Sequence, residues 1–208
     1  FFYLSTIFAD ENVDIGFRYG FLSKPTYDSE SITVLSDSSI INTGDYLRIN
    51  IGYLSETNIC VIYKGAGGEF LLLANKQNIV AKNVIAKKDT IYITALNWTD
   101  MGPPLGTETF FFINSIKPLS KLTKLLNRYD KAPKKGQAKL ALHIQDQLNS
   151  YDPAVQDDLS SLSSQLGKPV AGGVAFRGGD DSITEFSVTH ECLGTSGIVF
   201  KKIVLMHQ

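Results

Sequence analysis

The sequence predicts an α+β protein that is mostly antiparallel β: a β-sandwich or partly open barrel with three amphipathic helices packed on it. Apolar and polar residues alternate over short segments separated by turn residues through the first half of the chain. After Pro118 the apolar period changes to about 3.6 residues, and it returns to alternation near the end. The 208 residues are 43% hydrophobic with a net charge of −1, so a sizeable core can form and disorder over most of the length is not expected.

The first half of the chain is predicted to be a meander of strands joined by short loops. Residues 46–53 alternate between apolar and polar side chains, which is typical of a strand with one buried face. Residues 58–64 are apolar on both faces, so we expect a central strand, followed by a hairpin loop at 65–68 and a return strand at 69–74. Short connections of this kind favour antiparallel pairing. Further strands are predicted at residues 17–21, 31–35, 83–85 and 90–95.

The stretch GPPLGTETFFFINSIKPL, residues 102–119, is predicted to be a stiff loop that leads into a deeply buried strand. The Pro103-Pro104 pair has fixed φ angles and no backbone donors, so it lies outside any strand ladder. Gly106 restores backbone freedom, and residues 109–116 are apolar on both faces, so this strand should be covered on both sides. Glu108 is interpreted as part of the segment that docks the strand, not as a catalytic acid.

Three amphipathic helices are predicted from apolar residues that recur every three or four positions. The third begins at Asp152 as N-cap with Pro153 in the first turn, and it ends at Gly167. Each helix has an apolar face that must be covered, and the sheet is the expected surface. The faces are formed in turn by Leu119, Leu122, Leu126 and Tyr129, by Leu140, Ala141, Ile144 and Leu148, and by Val155, Leu159, Leu162 and Leu166.

The N-terminal segment bears on localisation. Residues 1–9 are apolar and precede two acidic residues, which indicates the remnant of a secretory signal peptide; the alternative is a first β-strand. A signal peptide predicts a periplasmic or secreted protein, and a strand a cytoplasmic one. No apolar run reaches the ~20 residues of a transmembrane helix. Residues 10–130 are assigned to the β-sandwich core domain, and residues 131–208 to a helical pair and returning strands at 182–189 and 197–207 of the same fold.

A series of short motifs runs in a fixed order from a GD pair at 44–45 to a KPL end at 117–119, with PLGTE at 104–108. The intermediate elements lie at residues 60–63, 68–70, 72–75, 78–85 and 90–93. This order resembles the bacterial domain-of-unknown-function family 4384 over about residues 42–119. Ala74 departs from the pattern, because the family usually carries proline there. The resemblance implies a small β-rich module, often attached to caspase-like peptidases, kinases or export signals, with no catalytic residue of its own.

The chain has two cysteines, Cys60 and Cys192, which form no CxxC motif. They are either buried free thiols or one disulfide of an exported protein. His190 and Cys192 share one face of a predicted strand, so a cysteine-dependent hydrolase is the alternative function. His143 and Asp146 are interpreted as members of a solvated helix face. No spacing typical of metal ligands and no cofactor or phosphate-binding motif occurs, so neither a metal nor a cofactor is predicted.

The segment from 117 to 139 contains eight basic residues and a single acid, Asp130, so it has a strong local excess of positive charge. This excess predicts binding to an anionic membrane surface, a polysaccharide or an acidic protein, with an ordinary solvated helix face as the alternative. Nucleic acid is not expected, because no aromatic residues are interleaved for base stacking. The chain is therefore predicted to be a non-enzymatic accessory, binding or sensing module with a protein or cell-envelope partner. The basic residues are Lys117, Lys121, Lys124, Arg128, Lys131, Lys134, Lys135 and Lys139, and partner binding is assigned to the first seven.

Overall fold

The computed structural model describes residues 15–54, 56–79, 84–88, 91–152, 168–169, 188, 190–194 and 197–208. Several sequence predictions concern residues outside these ranges. They are the signal segment at 1–9, the third helix at 153–167 and all but one residue of the strand at 182–189.

Thirteen strands and three helices occur in the described part of the chain. The strands are β1 (Ile15–Lys24), β2 (Thr33–Leu35), β3 (Ile40–Ile41), β4 (Tyr46–Leu54), β5 (Asn58–Lys64), β6 (Phe70–Asn75), β7 (Val84–Lys88), β8 (Ile91–Ala95), β9 (Thr99–Asp100), β10 (Gly106–Ser115), β11 (Lys168–Pro169), β12 (His190–Gly194) and β13 (Ile198–His207). The helices are α1 (Lys76–Ile79), α2 (Ser120–Lys131) and α3 (Lys134–Asn149). The single turn α1 was not predicted, whereas α2 and α3 confirm the first two predicted helices.

The described strands form two separate sheets and close no barrel. The first, which we call the outer sheet, has eight strands in the order β11–β12–β1–β4–β8–β7, with β2 beside β1 and β9 beside β4. The second, the middle sheet, has five strands in the order β3–β13–β10–β5–β6. Every pairing is antiparallel except that of β3 with β13. The predicted α+β class with mostly antiparallel β-structure is therefore confirmed.

The two sheets share a core of aromatic rings. Phe17 of β1 stacks on Phe112 of β10 with ring centroids 5.6 Å apart, and Tyr19 lies 5.2 Å from the same ring. Phe21 meets Phe110 edge to face at 4.9 Å. These side chains come from alternate positions of their strands, so each strand directs one row of rings into the core.

The opposite face of the middle sheet is covered by α2 and α3. Phe111 points to this face, because it lies between Phe110 and Phe112 along β10. It packs in a second buried cluster with residues of both helices and lies 6.1 Å from Phe200 of β13. The prediction that this strand is covered on both sides is confirmed. The helical residues buried there are Leu122, Leu126 and Tyr129 of α2, and Ile144 and Leu148 of α3.

The loop before β10 packs against the hairpin that joins β5 to β6. Gly106 has a φ of +140°, a region that L side chains rarely adopt, and a Cβ added there would lie 3.1 Å from the Cβ of Ala66. The preceding Pro103–Pro104 bond is cis. Gly106 therefore joins the proline segment to β10 at a point of close approach to the hairpin.

Candidate functional site

Four basic residues form a continuous line along α2, which we call the basic stripe. They are Lys121, Lys124, Arg128 and Lys131, and they recur at intervals of three and four residues. Residues at such intervals share one face of a helix. All four are exposed, whereas the residues that α2 buries against the middle sheet lie on its other side. The fold therefore presents the stripe to solvent.

The start of α3 extends the positive charge. The connection between α2 and α3 is only Ala132 and Pro133, and Lys134 and Lys135 follow at once, both exposed. The first turn of α3 contains no acidic residue, although the positive end of the helix dipole favours anions there. Within the described residues, none of the eight predicted basic residues lies within 4.0 Å of a carboxylate oxygen. In the described part of the chain, these cations are therefore not paired with carboxylates.

A second candidate site surrounds Glu108, whose side chain is buried. Its Oε1 lies 3.2 Å from Nδ1 of His207, while its Oε2 accepts hydrogen bonds from Tyr63 Oη at 2.6 Å and from the backbone N of Ala66 at 3.2 Å. Burial and the hydrogen bond to Glu108 raise the pKa of Tyr63. The expectation that Glu108 helps to dock β10 agrees with these contacts. The role of His207 was not predicted, because nothing local in the sequence connects two residues separated by 99 positions.

The contact between Glu108 and His207 continues to a hydroxyl group. Nε2 of His207 lies 3.1 Å from Oγ1 of Thr43, so the order hydroxyl–imidazole–carboxylate is that of a nucleophile, a base and an orienting acid. Such chemistry also needs free donors to stabilise an oxyanion. Here the backbone N–H groups of Thr43 and Gly44 already donate to carbonyl oxygens of Gln208 and Met101. The chain of contacts therefore fastens the turn at Thr43 to the end of β13.

The alternative hydrolase centre has a buried sulfur. Cys192 is 6% exposed and packs in the core between the sheets. Burial raises the pKa of its thiol to about 11, with Lys201 opposing this shift and Glu191 adding to it. Burial and the charge of Lys201 also lower the pKa of His190, whose ring stacks on Tyr19 at 4.9 Å. A nucleophilic cysteine needs the opposite environment, one that favours the thiolate.

The two cysteines lie in different layers. Cys60 is buried on the helix-facing side of the middle sheet, and Cys192 belongs to the core between the sheets. Both are free thiols, so the first of the two predicted alternatives is confirmed. Burial raises the pKa of the Cys60 thiol to about 12. A cavity of about 90 Å³ beside Cys60, between β5, α1 and the start of α2, is far smaller than the roughly 300 Å³ of a typical ligand pocket.

The described residues contain no group of three or more His, Cys, Asp or Glu side chains that could hold a metal ion. Their helices also lack the combination of length and apolar character that crossing a bilayer requires.

Comparison of the chain with known protein families, with curated proteins and with solved structures found no match.

Proposed function

We propose that the chain is a non-enzymatic binding module of a bacterial exported or envelope-associated protein, and that it docks on an anionic membrane surface. The basic stripe on α2 carries this proposal, because four exposed cations lie in line and, in the described residues, none of them has a carboxylate oxygen within 4.0 Å. Each lysine or arginine near an anionic bilayer contributes roughly 1 kcal/mol to binding. Four such residues therefore suffice for reversible association.

The position of the stripe supports a flat partner. Leu122 and Leu126 anchor α2 on the middle sheet, so the opposite side of the helix is free to approach a surface without rearrangement. The lysines at the start of α3 lie close in sequence to the end of the stripe and add to the same positive region. Three features of the chain thus act together: an anchored helix, a charged outer side and a short turn into α3.

The finer architecture and the family relationship are part of the same proposal. The chain would form a β-sandwich on which a third helix, within residues 152–167, extends the helical layer. Residues 42–119 would form a module related to family 4384, whose described strands include β4, β5, β6 and β10. Such a module is an accessory one, which fits a role in docking rather than in catalysis.

Co-sedimentation with vesicles tests the proposal. We expect the protein to bind vesicles rich in phosphatidylglycerol at low salt, and to dissociate steeply as the salt concentration rises. The double variant Lys124→Glu/Arg128→Glu should lose this binding. Vesicles of phosphatidylcholine alone should bind neither protein.

The matched control is Lys76→Glu/Lys202→Glu, which changes the net charge by the same amount outside the stripe. This control should bind almost as well as the original chain. The proposal is wrong if the original protein does not bind at low salt, or if the two double variants lose binding equally.

A further inference from the structure

We propose that the outer sheet carries a binding site for an acidic saccharide, meaning a sugar ring that bears a carboxylate. The site, which we call the cation–aromatic site, is formed by Lys24, Tyr27, Tyr46, Arg48 and Trp98. It lies on the outer sheet, whereas the basic stripe lies on a helix that covers the middle sheet. The two sites are therefore independent of each other.

The register of β1 and β4 places both cations of the site on one face. Lys24 is directly opposite Tyr46, and Leu22 is directly opposite Arg48. Lys24 and Arg48 are thus diagonal neighbours, a relationship that long side chains can span. The core-facing residues of β4 alternate with these positions, so the site lies on the face turned away from the core. Trp98 comes from the short loop between β8 and β9.

The aromatic rings surround the ammonium group of Lys24. Its Nζ lies 4.5 Å from the ring centroid of Trp98 and 4.8 Å from that of Tyr27, and it donates a hydrogen bond to the carbonyl oxygen of Tyr27. The guanidinium carbon of Arg48 lies 5.5 Å from the centroid of the same Trp98 ring. Contacts of this length are cation–π interactions. Trp98 therefore holds two cations in place.

Lys24 is a buried cation that has no counter-ion among the described residues. The residue is only 6% exposed, yet among the described residues no carboxylate oxygen lies within 4.0 Å of its Nζ. Asp100 pairs with Tyr46 from the next strand, which puts its backbone about 10 Å from that of Lys24 at ordinary strand spacing. A buried charge is costly without a partner, so the site favours an anion beside Lys24.

The aromatic rings of the site indicate which class of ligand would bear the anionic group. Tyr27 is 59% exposed and meets Tyr46 at an angle of 71°, so these rings do not form the parallel plates that would enclose a nucleobase. They offer single apolar faces with hydroxyl groups at their edges. A sugar ring has apolar C–H faces and hydroxyl groups of its own. A carboxylate on that sugar would then reach Lys24 and Arg48.

Fluorescence provides a direct assay, because Trp98 is the only tryptophan of the chain. We expect trigalacturonate to change the emission of Trp98 in a saturable way that weakens with salt. Neutral galactotriose, and acetate at the same carboxylate concentration, should not do so. Lys24→Met, which keeps the length and removes the charge, should weaken trigalacturonate binding by about tenfold or more, the expected effect of losing a charged contact.

Lys64→Met is the matched control, because Lys64 also lies over an aromatic ring, that of Phe70, at 5.6 Å. It should bind trigalacturonate as the original chain does, and circular dichroism should show both variants folded. Three results would each overturn the proposal: no saturable response, an equal response to galactotriose or acetate, or unchanged binding in folded Lys24→Met. If Lys24→Met does not fold, Arg48→Met replaces it in the same comparison.

Discussion

The Nδ1 atom of His207 lies 3.2 Å from Oε1 of Glu108, and both side chains are almost entirely buried, at 0% and 2% exposure. His207 ends β13 and Glu108 lies near the start of β10, so their contact joins neighbouring ends of two paired strands. Tyr63 and the backbone of Ala66 complete the surroundings of the carboxylate. This buried polar group therefore fixes how the loop after β5, the start of β10 and the C-terminal strand meet.

The first prediction concerns this buried carboxylate. Glu108→Gln replaces one acceptor oxygen with an NH₂ group, which cannot accept the hydrogen bonds that the carboxylate receives from its neighbours. We expect the free energy of unfolding to fall by about 1–3 kcal/mol, because a buried donor is left unpaired. Urea denaturation measures the change.

Glu69→Gln is the control, because Glu69 is an exposed residue of the same hairpin. It should change stability by less than about 0.5 kcal/mol. Equal stability of the two variants would show that the contacts of Glu108 do not stabilise the fold.

The second prediction concerns the backbone at Gly106. Gly106→Val places a β-branched side chain at a φ of +140° and directs its Cβ towards Ala66. We expect the free energy of unfolding to fall by about 1–3 kcal/mol because of backbone strain at this φ. Gly102→Val is the comparison, because Gly102 does not have a positive φ and no atom lies within 4 Å of its added Cβ. A Gly106→Val protein as stable as Gly102→Val would refute this interpretation.

The third prediction separates a structural thiol from a nucleophile. Cys192 should react with iodoacetamide at pH 8 only after denaturation, because burial keeps its thiol protonated and out of contact with the reagent. Mass spectrometry of the digested protein would locate the label. Cys60 serves as the internal reference, since it is buried in a different layer. Rapid labelling of Cys192 in the folded protein, with Cys60 unlabelled, would favour the hydrolase.

The fourth prediction is a loss of stability at alkaline pH. The folded protein keeps its thiols protonated up to a pH of about 11 for Cys192 and about 12 for Cys60, whereas thiols in an unfolded chain titrate near 8.5. Between these values the unfolded state has lost protons that the folded state retains, so the free energy of unfolding must fall as the pH rises.

We expect each thiol to contribute on the order of 1–2 kcal/mol to this fall between pH 8.5 and 10. Denaturation of the original chain and of Cys60→Ala at several pH values measures the contribution. Cys60→Ala is expected to be less stable at every pH but to show a shallower slope. Parallel slopes would contradict the assigned effect of burial on Cys60.

The sequence alone determined the class of the fold and most of its elements. Alternation predicted β4, apolar residues on both faces predicted β5 and β10, and the spacing of leucines predicted α2 and α3, because these patterns record which sides of an element are buried. The sequence also indicated the basic residues of the stripe, because they lie close together in one helix. Phe110, Phe111 and Phe112 likewise indicated a strand covered on both sides.

Only the tertiary structure decided which distant residues meet. The order β3–β13–β10 of the middle sheet brings His207 to Glu108, and the pairing of β1 with β4 brings Lys24 to Arg48. Neither pair of neighbours leaves a local pattern, because strand order and register depend on the packing of the whole core. The sequence therefore determined the elements and their buried faces. The buried Glu108–His207 contact and the cation–aromatic site exist only because those elements pack in this one arrangement.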